Sequence, residues 1–382
     1  MPTDPARLTL WSSEVIDVQF ESVTITDYPP FKNLTLKFPP GVTVIAGTNG
    51  VGKSRLLSFL MATQTGQIPI INTSGIYQPP ATYRGGGNEQ WLIRFDANRV
   101  IPNYPVSALR PYQARYSSDH GGMQTDNFST VGATFIHWFV QMDNFEFRGW
   151  IETEESAENF KLCKRIFSIM DPRFQFREVN RDFKVILDSP HGSLEFGQTS
   201  SGFQSAFLLL FGVVFGIDLY FGGRKKAQDF DGCILIDEID VHLHPSWQGR
   251  IIRILEEIVP KAQIIATTHS AHVIQGLKET ELIVLASDSA GRPEVKTISP
   301  KPGPYGFQGW TVEEILRDVM GLEDTLSETR QAAEAAFNDA LDDDDLIAAQ
   351  KPYELLMSML HPSNPLRRVY DMQFRAMGGV SS

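Results

Sequence analysis

The sequence contains few cysteines, no excess of basic residues and no apolar run long enough to cross a membrane. Cys163 and Cys233 are the two cysteines among 382 residues, too few for a disulfide framework, so we expect a reducing, cytoplasmic compartment. The most apolar run, 206–221, is sixteen residues long and includes Asp218, whereas a membrane span needs about 20 apolar residues. It therefore predicts a buried helix and no membrane association. The N-terminus lacks the basic and apolar segments of a secretory signal, so none is expected.

The net charge of −12, from 34 basic and 46 acidic residues, argues against a protein that coats nucleic acid through bulk charge. The acidic excess is local, because residues 311–360 contain thirteen acidic and three basic residues, a net charge of −10. The remaining residues carry −2, which leaves room for a basic patch elsewhere. With 42% hydrophobic and 21% charged residues, the composition is that of a globular protein.

The hydrophobic pattern predicts a sheet-based core with an insert and a helical extension. Apolar strands alternate with helices in the second half of the chain, which is typical of a parallel sheet covered on both faces. The predicted strands are 42–46, 233–236, 263–267 and 282–286, and the predicted helices are 156–170, 203–221 and 247–258. We therefore expect an α/β head over 1–310, with an α+β insert at about 66–195, and an acidic helical extension over 311–382.

Residues 47–54 have the sequence Gly-Thr-Asn-Gly-Val-Gly-Lys-Ser, which matches G-x-x-x-x-G-K-[ST] between an apolar strand and a helix. Glycines let backbone N–H groups turn inward around phosphate oxygens, and the helix that begins there adds its positive dipole end. Lys53 brings a positive charge to the β- and γ-phosphates, and the Ser54 hydroxyl is a ligand for Mg²⁺. The segment therefore predicts a nucleoside triphosphate site. The residues predicted to bind the nucleotide here are Gly47, Asn49, Gly50, Gly52, Lys53, Ser54 and Arg55.

Two further strands end in polar residues that suit the same site. The strand 233–236 is followed by Asp237 and Glu238, and ligands bind beyond the carboxyl ends of the strands in an open parallel sheet. Asp237 is predicted to hold Mg²⁺, and Glu238 to orient or deprotonate the attacking water. The strand 263–267 leads to His269, which is predicted to contact the γ-phosphate and sense its loss.

Two other features have more than one interpretation from the residues alone. Asp240, His242 and His244 suggest zinc, but one loop supplies too few ligands without others nearby. The segment 200–204, Ser-Ser-Gly-Phe-Gln, precedes the apolar helix. It fits either an ordinary helix cap or a helix start that offers a hydroxyl and N–H groups to an anion.

The order of these motifs resembles that of the ABC-type ATPases: phosphate loop, Ser-Gly helix start, Asp-Glu strand and His strand. The chain is similar to heads of the RecF and SMC branch and to small bacterial AAA family ATPases, including OLD-like phage-defence ATPases. The segment 200–204 resembles their signature motif, with Phe203 in place of the second glycine, and 237–245 resembles their acidic strand and D-loop, with Ile239 as the departure. The resemblance covers about 15–64 and 195–382, and it implies a P-loop NTPase head of the ABC type with a mixed sheet and flanking helices.

The resemblance also implies how ATP is bound. In that family the signature of one subunit closes on the nucleotide of another, so a single phosphate loop and a single signature imply a homodimer with two shared sites. Ser201, Gly202 and Gln204 would then contact the partner's ATP. Asp240 would connect the site to the second nucleotide across the interface. The glutamine loop of the family is not assigned, because Gln78 and Gln113 fit equally.

The family resemblance leaves three functions open. The first is an ATP-hydrolysing head acting in DNA repair or anti-phage defence, the second is a nucleotide-gated module that controls an effector protein, and the third is a transporter ATPase, which the long insert disfavours. No HNH, zinc-finger or toprim pattern indicates a second enzyme. Candidate DNA-contacting residues mix basic and aromatic types, which also suit an ordinary packed surface. They are Tyr83, Arg84, Arg94, Arg99, Tyr104, Arg110, Tyr112, Arg115, Tyr116 and Arg224 to Lys226.

Overall fold

The computed structural model describes residues 19–65, 81–84, 92–95, 122–124, 128–322 and 326–380. The strands in these residues are β1 (Ser22–Tyr28), β2 (Phe31–Lys37), β3 (Val42–Gly47), β4 (Ala81–Arg84), β5 (Leu92–Phe95), β6 (Gly122–Gln124), β7 (Gln175–Val179), β8 (Val185–Ser189), β9 (Gly192–Glu195), β10 (Cys233–Ile236), β11 (Gln263–Thr267), β12 (Leu282–Ser287) and β13 (Pro293–Val295). The α-helices are α1 (Lys53–Thr65), α2 (Phe128–Arg148), α3 (Glu154–Met170), α4 (Ser201–Tyr220), α5 (Pro245–Gln248), α6 (Ile251–Ile258), α7 (Ala271–Gln275), α8 (Val312–Glu314), α9 (Glu328–Asp342), α10 (Leu346–Met359) and α11 (Leu366–Ala376).

The central sheet has the strand order β13-β12-β3-β11-β10-β5-β6 in the described part of the chain. All neighbours pair in parallel except β12 and β13, which are antiparallel. The predicted α/β class with a mixed sheet is therefore confirmed, and the strands predicted at 233–236 and 263–267 have the bounds expected. The helix predicted over 247–258 is interrupted, because α5 ends at Gln248 and α6 begins at Ile251.

Both faces of the central sheet are buried. Along β3, Val42, Val44 and Ala46 belong to one apolar core, whereas Ile45 belongs to the core on the opposite face. This follows from the alternation of side chains along a strand. The first core contains α3, α4 and α6, and the second contains β1, β2 and α1. Because both faces are covered, the strands are mainly apolar, and the polar residues within them, such as Thr43 in β3 and Gln263 in β11, are buried.

The helix α4 is buried as its composition predicts, since a helix that is apolar on all sides must be enclosed. It is the one described helix long and apolar enough to cross a membrane, and 83% of its most apolar window is buried within the protein. Four phenylalanines repeat at every fourth position, and the rings of the last three stack along one side of the helix, with centroids 5.4 Å apart for Phe207 and Phe211 and 6.3 Å for Phe211 and Phe215. Phe167 of α3 stacks on Phe207 at 4.0 Å. This packing fixes the start of α4 relative to α3.

Two short strands of the insert predicted at about 66–195 belong to the central sheet. Its strand β5 pairs in parallel with β10, and β6 pairs with β5. The backbone N–H of Asp237 donates to the carbonyl of Phe95 at 2.8 Å, so β5 supports the acidic end of β10. The strand β4 joins the antiparallel sheet of β1 and β2, and β7, β8 and β9 form a third sheet.

The chain divides into two compact units, Met1–Gly321 and Leu322–Ser382. The boundary predicted after residue 310 is therefore too early, because Ile315 and Val319 of the segment that follows are buried in the core of the first unit. The second unit consists of α9, α10 and α11 around a small core of its own, and its helical character is as predicted. That core contains Ala333, Phe337, Ala340, Ala349, Tyr353, Leu356, Leu360, Tyr370 and Phe374.

Candidate functional site

The phosphate loop connects β3 to α1, and two of its glycines are required by close contacts. A Cβ atom at Gly47 would lie 2.2 Å from the carbonyl oxygen of Leu285 in β12, so no other residue fits there. Gly52 has φ +102°, and a Cβ atom there would lie 3.0 Å from the side chains of Pro30 and Phe31. The turn between β1 and β2 therefore supports the loop from beneath. Gly50 is different, because nothing lies within 4 Å of its Cβ direction.

Lys53 is buried beneath the phosphate loop. Its Nζ donates to the carbonyls of Gly47 at 2.9 Å and Thr48 at 3.0 Å. Burial lowers the pKa of Lys53 to about 8, although the charges of Glu238 and Asp237 act in the opposite direction. A buried ammonium held mainly by neutral carbonyls is poorly compensated. A phosphate anion would supply the missing compensation, so the loop is suited to an anionic ligand.

Ser54 and Asp237 meet at the carboxyl end of the sheet. The Ser54 hydroxyl donates to Asp237 Oδ1 at 3.1 Å, and the Thr267 hydroxyl donates to the same oxygen at 2.6 Å. Asp237 is buried. A hydroxyl and a carboxylate are hard oxygen ligands, and Mg²⁺ in phosphate sites uses one or two such protein ligands beside phosphate oxygens. These two side chains therefore fit the predicted Mg²⁺ ion.

Glu238 directly follows Asp237 and has a left-handed backbone with φ +45°. A non-glycine residue in this region costs of the order of 1–3 kcal/mol and is retained only where its surroundings enforce it. Here the Glu238 N–H donates to the Thr267 hydroxyl at 2.7 Å, and the next N–H, of Ile239, donates to the Thr267 carbonyl at 2.9 Å. The backbone therefore turns sharply at the acidic strand end, and the turn is fastened to β11.

Asp240 and His269 are joined within the same chain. Asp240 Oδ1 accepts from the Thr268 hydroxyl at 2.5 Å and from the His269 N–H at 3.2 Å. Burial lowers the pKa of His269, and the charge of Lys53 acts in the same direction. His269 is therefore neutral at pH 7, with one ring nitrogen able to donate a hydrogen bond and the other to accept one. In the chain as described, the Asp240 carboxylate is engaged by the histidine segment.

The signature-like segment 200–204 lies at the start of α4. Ser200 is the N-cap and its hydroxyl accepts from the Phe203 N–H at 3.2 Å, while Ser201 is exposed at the first helical position. The Gln204 side chain donates to the carbonyls of Gly197 and Thr199 at 3.1 and 2.8 Å. The Gln204 amide, which was predicted to contact a nucleotide, therefore stabilises the turn that precedes α4.

Gly202 packs against the D-loop of its own chain. A Cβ atom there would lie 3.3 Å from the carbonyl oxygen of His242 and 3.4 Å from the backbone nitrogen of His244. Phe203, the departure from the family motif, is buried between Phe174 at 4.9 Å and Trp247 at 6.0 Å between ring centroids. The phenylalanine therefore anchors the signature-like segment to the helix that follows the D-loop.

The remaining predicted residues occupy varied places. Asn49 is exposed in the phosphate loop, and the Arg55 guanidinium lies over the ring of Tyr28 at 5.6 Å. His244 caps α5 through Ser246, and the described residues contain no group of three or more ligands that could hold a metal such as zinc. Gln78, Gln113, Arg99, Tyr104, Arg110, Tyr112, Arg115 and Tyr116 lie outside the described residues. The same holds for the side chains of Tyr83, Arg84 and Arg94.

The described basic candidates are largely paired with acids. Lys225 forms an ion pair with Asp231 at 2.6 Å, and Lys226 contacts Glu154 at 3.4 Å. Arg224 is exposed. Two of these three charges are therefore compensated within the protein, which weakens the case for a DNA-binding patch at this position.

No sequence motif indicates a role for Thr267, Thr268 or Gln248, yet these residues hold the acidic segment in place. Gln248 donates to the carbonyls of Asp240 and Leu243 at 3.3 and 2.9 Å, and its oxygen accepts from the Ser270 hydroxyl at 2.7 Å. The available signal was the Thr-Thr pair at the end of an otherwise apolar strand, directly before the histidine. Hydroxyls at a buried strand end indicate hydrogen-bond partners nearby.

Several known proteins are similar in sequence to this chain. Residues 42–275 match the AAA_21 family, described as "AAA domain, putative AbiEii toxin, Type IV TA system". The Septu protein PtuA of Bacillus thuringiensis is 34% identical over 91% of this chain and 96% of its own length. A second Septu protein PtuA, from Bacillus mycoides, is 23% identical over 81% of this chain but only 46% of its own length. The Retron Ec83 probable ATPase of Escherichia coli is 31% identical over 35% of this chain and 23% of its own length.

Among solved structures, the SMC head domain from Thermotoga maritima covers 74% of this chain and 99% of its own, with 13% identity and a TM-score of 0.41. The family match spans more than half of the chain and includes β3, the phosphate loop, β10 and β11. The resemblance to small bacterial AAA family ATPases is thereby confirmed. The chain belongs to the AAA_21 family of P-loop ATPases.

Proposed function

We propose that the protein binds and hydrolyses ATP at the carboxyl end of its central sheet. The observation that carries the proposal is that three separate segments meet there: Lys53 and Ser54 after β3, Asp237 and Glu238 after β10, and His269 after β11. Lys53 lies within electrostatic reach of both acidic residues and of His269. This combination of cation, hydroxyl, paired carboxylates and neutral imidazole suits phosphoryl transfer to water.

Each residue has a distinct role in the proposed reaction. Lys53 leaves the carbonyls of its own loop and neutralises the β- and γ-phosphate oxygens, while the loop N–H groups bind the same phosphates. Ser54 and Asp237 would hold Mg²⁺, which would supply positive charge to the phosphate oxygens. Glu238 orients the attacking water and accepts its proton. His269, neutral at pH 7, donates a hydrogen bond to the γ-phosphate.

The active form that we propose is a homodimer with two shared sites. Ser201 is exposed at the start of α4. The first backbone N–H groups of a helix have no intrahelical partner, so two of them at this end of α4 can bind an anion. The adjacent Gly202 lies against His242 and His244 of its own chain. The segment is thus available to the γ-phosphate held by a second copy. Two-fold symmetry then gives two equivalent sites.

The biological setting that we propose is anti-phage defence in the cytoplasm. Its support is similarity to a Septu protein along nearly the whole chain and to a retron ATPase over part of it. A role in DNA repair has less support, because two of the three described basic candidates, Lys225 and Lys226, are paired with acids. Control of an effector protein by the ATP-bound dimer remains compatible with the same site.

The test compares Glu238→Gln with Glu257→Gln, an exposed control on α6. We expect Glu238→Gln to bind ATP with affinity close to that of the wild type but to hydrolyse it about 100-fold or more slowly, because the water loses its base. With saturating ATP and Mg²⁺, light scattering should show a stable dimer for Glu238→Gln, and Glu257→Gln should behave like the wild type. Normal turnover by Glu238→Gln would refute the catalytic assignment, and a variant that stays monomeric with ATP bound would refute the shared site.

A further inference from the structure

We propose that Thr267 is a positioning residue that sets the geometry of both acidic groups of the site. The inference rests on the proposed function, because it concerns the Mg²⁺ ligand Asp237 and the water-activating residue Glu238. Thr267 is not expected to touch ATP. Its effect would pass through the two neighbours that it holds.

The hydroxyl of Thr267 has one proton and uses it on Asp237. It donates to Asp237 Oδ1 at 2.6 Å and accepts from the Glu238 N–H at 2.7 Å. Because the proton is committed to the carboxylate, the oxygen must act as acceptor toward the amide, so both directions are fixed. Thr267 is fully buried at 0% exposure, where such bonds are stronger than in water and their loss is not repaired by solvent.

Thr267 also provides hydrogen bonds to the backbone where the regular strand pairing of β10 ends. The Asp237 N–H still follows the ladder, since it bonds to Phe95, but the Glu238 N–H bonds to the Thr267 hydroxyl and the Ile239 N–H to the Thr267 carbonyl. One residue of β11 thus holds three consecutive residues. The left-handed Glu238 lies at the centre of this arrangement. Without the hydroxyl, nothing in this set of bonds would hold that amide in its turned conformation.

Two substitutions separate the hydroxyl from the shape of the side chain. Thr267→Val keeps the branched shape and removes the hydroxyl, which takes one hydrogen-bond partner from the buried Asp237 carboxylate and one from the partly buried Glu238 amide. Thr267→Ser keeps the hydroxyl and removes a methyl group. Thr43→Val is a matched control, because Thr43 is fully buried in the adjacent strand β3 and its hydroxyl has no hydrogen-bond partner in the described structure.

The experiment measures three quantities for the full-length wild type and the three variants: ATP affinity with Mg²⁺ and with EDTA, the ATPase rate at saturating ATP, and urea unfolding without nucleotide. For Thr267→Val we expect the rate and the Mg²⁺-dependent gain in ATP affinity each to fall about 10- to 100-fold, the range for groups that orient a metal ligand. Affinity in EDTA should stay within about twofold of wild type, since Lys53 and the loop are unchanged. Thr267→Ser and Thr43→Val should stay close to wild type in rate and in Mg²⁺ gain.

The outcomes distinguish the inference from the proposed function. If Thr267→Val is less stable in urea but keeps the wild-type rate and Mg²⁺ gain, the residue is only structural and the inference is overturned. The same holds if Thr267→Ser loses as much as Thr267→Val. If the wild type binds Mg²⁺ and ATP but does not hydrolyse ATP, the proposed function fails. The Mg²⁺-dependent gain in ATP affinity of Thr267→Val, compared with that of the wild type, then decides the inference by itself. A wild type whose ATP affinity and ATPase rate are both independent of Mg²⁺ overturns both.

Discussion

Replacing Lys53 by methionine tests whether the phosphate loop carries an uncompensated buried charge. Burial lowers the pKa of Lys53 from 10.5 to about 8, and each unit corresponds to about 1.4 kcal/mol. The full shift corresponds to a destabilisation of the folded protein by about 3 kcal/mol. Screening by water that reaches the loop reduces this destabilisation to about 2 kcal/mol. Methionine leaves the carbonyls of Gly47 and Thr48 without this donor, which offsets about 1 kcal/mol. We therefore expect Lys53→Met to be about 1 kcal/mol more stable than wild type at pH 7 without nucleotide.

The pH dependence of this difference isolates the charge. Because the pKa of Lys53 is lower in the folded protein than in the unfolded chain, the unfolded chain binds more protons between pH 8 and 10. Relative to Lys53→Met, the wild type therefore becomes more stable as the pH rises through that window. The stability advantage of the variant should fall by about 1 kcal/mol between pH 7 and 9.5 and so nearly vanish.

The assay is urea unfolding at pH 7 and pH 9.5, with and without Mg²⁺ and ATP, and with Lys37→Met as an exposed-lysine control. ATP at 100 times its dissociation constant should stabilise the wild type by about 2.7 kcal/mol and the variant by almost nothing. A variant that is less stable than wild type at both pH values, with no change between them, would refute the buried-charge reasoning. Stabilisation of Lys53→Met by ATP to the wild-type extent would refute the role of Lys53.

Three further predictions concern the shared site, the signature anchor and the second unit. Mixing inactive Ser201→Arg and Lys53→Ala proteins should restore up to about a quarter of wild-type ATPase activity, since about half the dimers are mixed and each has one intact site; no recovery despite subunit exchange would count against site sharing. Phe203→Ala should lower the free energy of unfolding by about 3–5 kcal/mol in urea titrations, and a loss below 1 kcal/mol would show that the aromatic anchor is unimportant. Deleting 322–382, which removes acidic residues that repel phosphates, should leave DNA affinity unchanged or increased in filter binding; a large loss from a folded truncation would contradict this.

Local patterns were sufficient to predict the motifs and most of the elements around them. The strand bounds at β10 and β11 follow from apolar runs ended by polar residues, because a strand buried on both faces favours apolar side chains along its length. The helix α4 was predictable in a similar way, because a long run of apolar residues must be buried. The interruption at Gln248 was not predicted, because the apolar periodicity continues through it while the α5 turn forms as its own capped unit after Pro245.

The extent of the first unit shows where local patterns are insufficient. Residues 311–321 have the same acidic, helical composition as the chain that follows, so the sequence places them in the extension. Only the tertiary structure shows that Ile315, Val319 and Met320 enter the main core. Likewise, the role of residues 92–95 in supporting the acidic strand end depends on a pairing between segments more than 130 residues apart, which no local pattern contains.

The amino-acid sequence by itself determined which chemical groups the site contains: a loop that can surround phosphates, a lysine, a hydroxyl, two carboxylates and a histidine. Each is specified by a short pattern, because its local backbone follows from the residues beside it. The tertiary structure alone decided how these groups hold one another. Thr267 fixes Asp237 and Glu238, and Asp240 bonds to the backbone of His269, because parallel pairing brings the ends of distant strands to one edge of the sheet.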